Sequence, residues 1–154
     1  RFFNAIENTF LYLIVATLLG LSVYQIVLRN VFESGLYWAD PLLRVLVLWL
    51  AMFGAMVATR ETGHIRVDAL THYLGPRMRR VVAVVTGLFS ATICLIAAWY
   101  GYLFVVDEKE YGMTAFADVP AWICESIIPL GLAVIGARML WQALTILVRG
   151  EEQP

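Results

Sequence analysis

Between Val81 and Val106 the chain carries no charged side chain. A run of that length exceeds the roughly 20 apolar residues that an α-helix needs to cross a bilayer. Three further runs, about 8–28, 41–59 and 120–148, approach the same description. One core cannot hide this much apolar surface in water: of 154 residues, 61% are hydrophobic and 15% charged, with a mean hydropathy of +0.77. The fold class that follows is an all-α membrane protein with four transmembrane helices, residues 1–154 forming a single integral membrane domain. No small-residue cleavage site follows the first run, so it reads as a span and not as a signal peptide.

The span boundaries are marked by local chemistry. Asp40 followed by Pro41 reads as a helix N-cap with proline in the first turn, and Asp40 stands four residues before Arg44 in the order that favours a weak ion pair. Tyr37 and Trp38 lie just outside, where amphipathic rings prefer the lipid–water boundary. The segment 60–80 carries Arg60, Arg66, Arg77, Arg79 and Arg80. Within it Ile65, Ala69, Leu70, Tyr73 and Leu74 recur at helical spacing until Gly75-Pro76. This predicts a short amphipathic helix, about 65–74, on the membrane surface between helices 2 and 3. Asp107-Glu108-Lys109-Glu110 reads as the start of an acidic polar loop running to Asp118.

Orientation follows from arginine and lysine. Four spans place both termini on one side, together with Arg1, Arg149 and the five arginines of 60–80; the other side has Lys109, with Arg29 and Arg44 at span ends. The termini are therefore expected in the cytoplasm, the chain being multi-pass. Trp38, Trp99, Tyr100, Tyr102 and Trp122 then gather at the outer boundary.

Little in the spans supports chemistry. The polar groups at mid-depth are Thr17, Ser22, Gln25, Thr86, Ser90 and Thr92, none of them a carboxylate. His64 and His72 lie outside the spans, which disfavours a haem subunit, and Cys94 and Cys124 form no paired motif. No nucleophile setting is present, so an enzyme, a cofactor or a metal centre is not expected. The net charge of −1 gives no reason to expect nucleic acid as a partner. The informative residues are the charges within or beside the spans. Arg138 lies deep in the fourth run, where an unpaired charge costs on the order of 2.5–3.5 kcal/mol. It either snorkels to inner headgroups or pairs with a carboxylate, Glu7 or one from a partner subunit. Glu125 and Arg29, toward the outer side, are candidates to pair with each other or with Asp40 and Arg44. Small-residue stripes, Ala83/Gly87/Ala91, Ala51/Ala55 with Gly54/Ala58, and Ala133/Ala137, mark where helices can approach.

An ordered series of short motifs narrows the reading: Arg29-Asn30-Val31-Phe32, Trp38-Ala39-Asp40, Leu43-Arg44, Trp49-Leu50-Ala51-Met52-Phe53-Gly54-Ala55, Gly63-His64-Ile65-Arg66-Val67-Asp68 and Pro129-Leu130-Gly131. With the four-span layout, it resembles the small membrane subunit, DctQ type, of tripartite ATP-independent periplasmic (TRAP) transporters. In one departure, Pro41 occupies the place of a second acid in the family's pattern. The resemblance implies a non-catalytic scaffold for a large transport subunit, in sodium-coupled uptake of an organic acid delivered by a periplasmic substrate-binding protein. The implied partners are that large TRAP membrane subunit, the binding protein and membrane lipids; the implied location is a bacterial inner membrane. Arg29, Trp38, Asp40, Arg44, Glu125 and Arg138 are then the candidate contacts or buried charge pairs. The alternative from the residues alone is an independent small homo-oligomeric carrier, for which only Glu7 and Glu125 come near the membrane as carboxylates.

Overall fold

The computed structural model describes residues 2–33, 35–61 and 75–149. Helix α1 spans Phe2–Val31, α2 Ala39–Glu61 and α3 Pro76–Tyr111; strands β1 (Thr114–Phe116) and β2 (Val119–Pro120) follow, then α4 (Ala121–Glu125) and α5 (Ile127–Arg149). Four helical stretches are long and apolar enough to cross a membrane: Glu7–Val31, Ala39–Thr59, Arg77–Tyr111 and Ala121–Val148, the last made of α4 and α5 together. The surface helix expected at 65–74 falls outside the described residues.

Helix α3 begins where proline tolerates a helix, with Gly75 before it and Pro76 in the first turn. It runs for 36 residues, about 54 Å at 1.5 Å per residue, against a hydrocarbon core of about 30 Å. The extra length corrects the reading of 107–118 as a loop. Asp107–Tyr111 continue the helix because Glu and Lys are good helix formers and Lys109 suits the negative end of the helix dipole. Gly112, at φ 66°, ends it, and its N–H bonds the Glu108 carbonyl at 3.2 Å. Beyond it β1 and β2 pair antiparallel around Ala117 and Asp118, both at positive φ.

The fourth crossing is broken after Glu125. Pro129 has no N–H to offer the Glu125 carbonyl four residues back, and its ring crowds that carbonyl. The chain turns at Ser126, whose N–H bonds Trp122 O at 3.0 Å, and α5 starts afresh at Ile127.

The helices form an open row, not a closed bundle: α1 packs on α2, α2 on α5 and α5 on α3, while α1 and α3 share no extended contact. The chain accordingly exposes 11152 Å², against roughly 7,800 Å² for a compact soluble chain of this mass. The α3–α5 pairing is the most extensive. Its seam on α3 is Val84, Gly87, Ala91, Cys94, Ala98 and Gly101, alternating steps of three and four residues as in antiparallel coiled-coil packing. A Cβ on Gly87 would stand 3.1 Å from the Ala143 side chain, one on Gly136 3.1 Å from Leu95 and 3.3 Å from Cys94, and one on Gly101 3.6 Å from Pro129. Seven residues down α3 thus match seven residues up α5. The small stripe sensed at Ala83/Gly87/Ala91 faces this seam, but on α5 the close approach is made by Gly136 and Ala143, not by Ala133/Ala137. On α2, Ala51 and Ala58 are exposed and Gly54 has nothing within 4 Å of its Cβ position.

Between α2 and α5, Met56, Ile127 and Ile135 form a buried cluster flanked by Trp49, Met52 and Met139. Gly131 lets Met52 lie directly against the α5 backbone. Helix α1 reaches this layer through Phe10, stacked on Phe53 with ring centroids 5.3 Å apart.

Candidate functional site

The polar side chains of the spans are used as ties between helices, in two groups. The first joins α1, α2 and α5 near the C-terminal end of α2. Arg138 on α5 donates through Nη1 to the Met56 carbonyl at 2.5 Å and through Nη2 to Glu7 Oε1 on α1, as an ion pair. Both side chains are largely enclosed, at 27% and 14% exposure. One turn further along α5, Gln142 Nε2 donates to the Thr59 carbonyl at 3.2 Å, and Thr59 Oγ1 donates back to Met56 O at 2.8 Å. Spacing Arg138 and Gln142 four residues apart puts both on one helix face. The Thr59 carbonyl lies in the last turn of α2, where carbonyls lack intrahelical donors and carry the negative end of the dipole, so the Gln142 amide satisfies it. The Arg138 guanidinium bonds the Met56 carbonyl just before that turn. Arg80 on α3 repeats the device, donating to Ile146 O at 3.1 Å and Leu147 O at 2.5 Å in the last turn of α5.

The second group lies at the opposite end. Gln25, 6% exposed on α1, donates through Nε2 to Leu36 O at 3.3 Å and to Asp40 Oδ1 at 3.4 Å, tying α1 to the turn before α2. Trp49 Nε1 on α2 donates to Cys124 O at 2.9 Å. That carbonyl lies in the last turn of α4, where the break before Pro129 leaves it without a helical donor; in lipid no water can replace one. Lys109, in the last turn of α3, places its ammonium 5.2 Å from the centre of the Trp122 ring on α4.

The residues singled out in the sequence divide accordingly. Arg138 is in the three-helix tie with Glu7. Trp38, not Asp40, holds the N-cap position of α2, since Leu42 N bonds Trp38 O at 3.2 Å; Asp40 lies inside the first turn. Arg29 and Arg44 are exposed. Among the described residues Arg29, Asp40, Arg44 and Glu125 form no ion pair. Helix α2 stands between α1 and the α4 segment, which separates Arg29 from Glu125, and a solvated Asp40–Arg44 pair gains too little to hold two long side chains in place. Glu125 Oε2 is buried without a hydrogen-bond partner. Sequence reasoning missed Trp49, Gln142, Thr59 and Arg80 as ties. Gln142 was accessible as the residue one turn from Arg138. Nothing local to Cys124 points to its donor, 75 residues away.

The sequence profile of the family described as "Tripartite ATP-independent periplasmic transporters, DctQ component" matches residues 18–149. The chain is similar to the sialic acid TRAP transporter permease protein SiaT of Haemophilus influenzae, 26% identical over 95% of this chain and 23% of that protein. It is similar to the ectoine TRAP transporter small permease protein TeaB of Halomonas elongata, 25% identical over 80% of this chain and 64% of the relative. It is also similar to the C4-dicarboxylate TRAP transporter small permease protein DctQ of Rhodobacter capsulatus, 29% identical over 76% of this chain and 52% of the relative. The match thus spans about a quarter of SiaT and roughly half to two thirds of the two small permeases.

Proposed function

The chain belongs to the DctQ component family of TRAP transporters, a family of transport components and not of enzymes, and from that premise we propose that it is a fixed scaffold for a separate large transport subunit. The observation that carries this reading is how the polar groups are used. Within the row of helices Arg138, Gln142, Trp49, Gln25 and Arg80 each satisfy a backbone carbonyl of a neighbouring segment. Thr17 and Thr92 bond carbonyls of their own helices. Such an arrangement fixes helices against each other; it does not line a path for a solute, which calls for polar groups converging at the membrane midplane. An open row also leaves two broad apolar faces for another membrane protein. The relative SiaT, more than four times the matched length, carries the name of a whole permease, which supports a large membrane subunit as the partner here.

The substrate reading is a small organic acid bearing a carboxylate, captured by a periplasmic binding protein and taken up with sodium ions. It is supported by the sialic acid and C4-dicarboxylate named for relatives. The termini and the arginine-rich segment 60–80 face the cytoplasm of a bacterial inner membrane, supported by the arginine bias. The end bearing Lys109 and the β1–β2 hairpin is then the outer surface, on which the binding protein docks.

The test is purification of the tagged chain from its native membrane in mild detergent, followed by uptake in vesicles. A stoichiometric, much larger polytopic protein and carboxylate uptake that needs a sodium gradient are expected. Recovery of this chain alone as a stable homo-oligomer that itself moves solute would overturn the scaffold reading.

A further inference from the structure

Between the outer half of α3 and the α4–α5 segment runs an open groove of about 590 Å³, walled almost entirely by apolar atoms. Trp99, Tyr102 and Val105 line one side; Trp122, Leu130 and Ala133 line the other, with Ser126 near the break. The groove lies beside the interruption between α4 and α5. The seam uses Ala98 and Gly101 to bring α3 against Ile128 and Pro129. Ser126 Oγ is already bonded to Ile123 O at 2.7 Å, so it adds no free donor to the wall.

What stands over the groove gives it a chemistry. Tyr102, Val105 and Lys109 follow at steps of three and four, so Lys109 continues the groove-lining face of α3, about 6 Å above Val105. By the same periodicity Asp107 points to another sector of the helix, while Glu110 lies above Trp99 at the edge of the groove. The Lys109 ammonium lies over Trp122, a wall of the groove. An apolar slot, aromatic rings at its upper part and one cation at its mouth have the order of groups of a phospholipid: acyl chain, ester level, phosphate. The volume is that of a cleft for a small molecule, roughly 300–1,000 Å³, and less than a transmembrane helix of about 10–12 Å diameter demands along the same length.

We propose that this groove is a binding site for one phospholipid, its acyl chain between Trp99 and Leu130 and its phosphate on Lys109. The full chain, purified and washed free of endogenous lipid by detergent, is titrated with palmitoyl-oleoyl phosphatidylglycerol or with palmitoyl-oleoyl glycerol, which lacks the phosphate, and adducts are counted by native mass spectrometry. One phospholipid adduct is expected, with little binding of the diacylglycerol. Lys109→Gln weakens phospholipid binding about fivefold, as loss of one lysine–lipid attraction implies. Ala133→Phe, which fills the slot, removes it. No adduct on the unaltered chain, equal binding of the diacylglycerol, or binding unaffected by Lys109→Gln would each overturn the proposal, and the lysine variant keeps it testable if Ala133→Phe fails to fold. A photo-crosslinker at Leu130 in native membranes is expected to label lipid; capture of a polypeptide would reassign the groove to a partner helix.

Discussion

The α3–α5 pair and the α1 arm are held by different physics. Along α3–α5 the backbones approach over Gly87, Gly101 and Gly136, and association comes from shape and dispersion spread over many small contacts. Helix α1 packs along α2, burying Ile14, and adds specific ties: the Phe10–Phe53 stack, Glu7 on Arg138 and Gln25 on the turn before α2. The lesson is one of redundancy. A seam of small residues loses little from any single shaved atom and much from an added one, whereas a polar tie is lost when one of its two partners is deleted.

The sharpest way to break that contrast is Arg138→Met. It removes the Arg138 partner of the enclosed Glu7 carboxylate, and thermal unfolding of the purified chain should reveal a loss of about 2–4 kcal/mol. Adding Glu7→Gln should restore most of it; a double variant as unstable as the single one would mean that the ion pair does not hold the arm. A smaller but still large effect is expected from overpacking the seam. Gly136→Leu forces a side chain where even a Cβ meets Leu95 and Cys94 at 3.1–3.3 Å, and should destabilise by about 1–3 kcal/mol. Gly54→Leu, on a face with nothing within 4 Å, should stay within about 0.5 kcal/mol of the unaltered chain. Equal losses at the two glycines would erase the distinction between packed and free faces. A loss well below that of Gly136→Leu is expected from Trp49→Phe, which keeps the ring and removes the donor to Cys124 O. Interhelical hydrogen bonds in membranes average about 0.6 kcal/mol, and a loss of that order, with faster amide exchange around Ile127, is the expected readout.

The four crossings were legible because charge-free runs have few other solutions, and Arg138 announced a tie because a lone cation deep in an apolar run needs a partner. The sequence also carried Pro129, which removes a donor from the helix ladder and crowds the carbonyl four residues back. What it could not carry was the consequence: a carbonyl left free at Cys124 and answered by an indole on another helix. The acids of 107–110 read as a loop because charge marks the end of a membrane span; glutamate and lysine also favour helix, and α3 continues beyond its apolar run to Tyr111. Pairing of Arg29 or Glu125 across the outer end was misread for a topological reason. Proximity in depth is visible in a sequence, but order within the row of helices is set by which small residues meet, and α2 stands between those two charges.

The most direct test of the open row is disulfide cross-linking of cysteine pairs, on a background lacking Cys94 and Cys124, in the native membrane. Cross-links are expected between positions 10 and 53, 52 and 131, and 87 and 143, which join α1 to α2, α2 to α5 and α5 to α3. Pairs scanned along the lengths of α1 and α3 should give none. Efficient cross-linking of α1 to α3 would show a closed bundle and contradict the account of this chain as an open row of helices with two free faces.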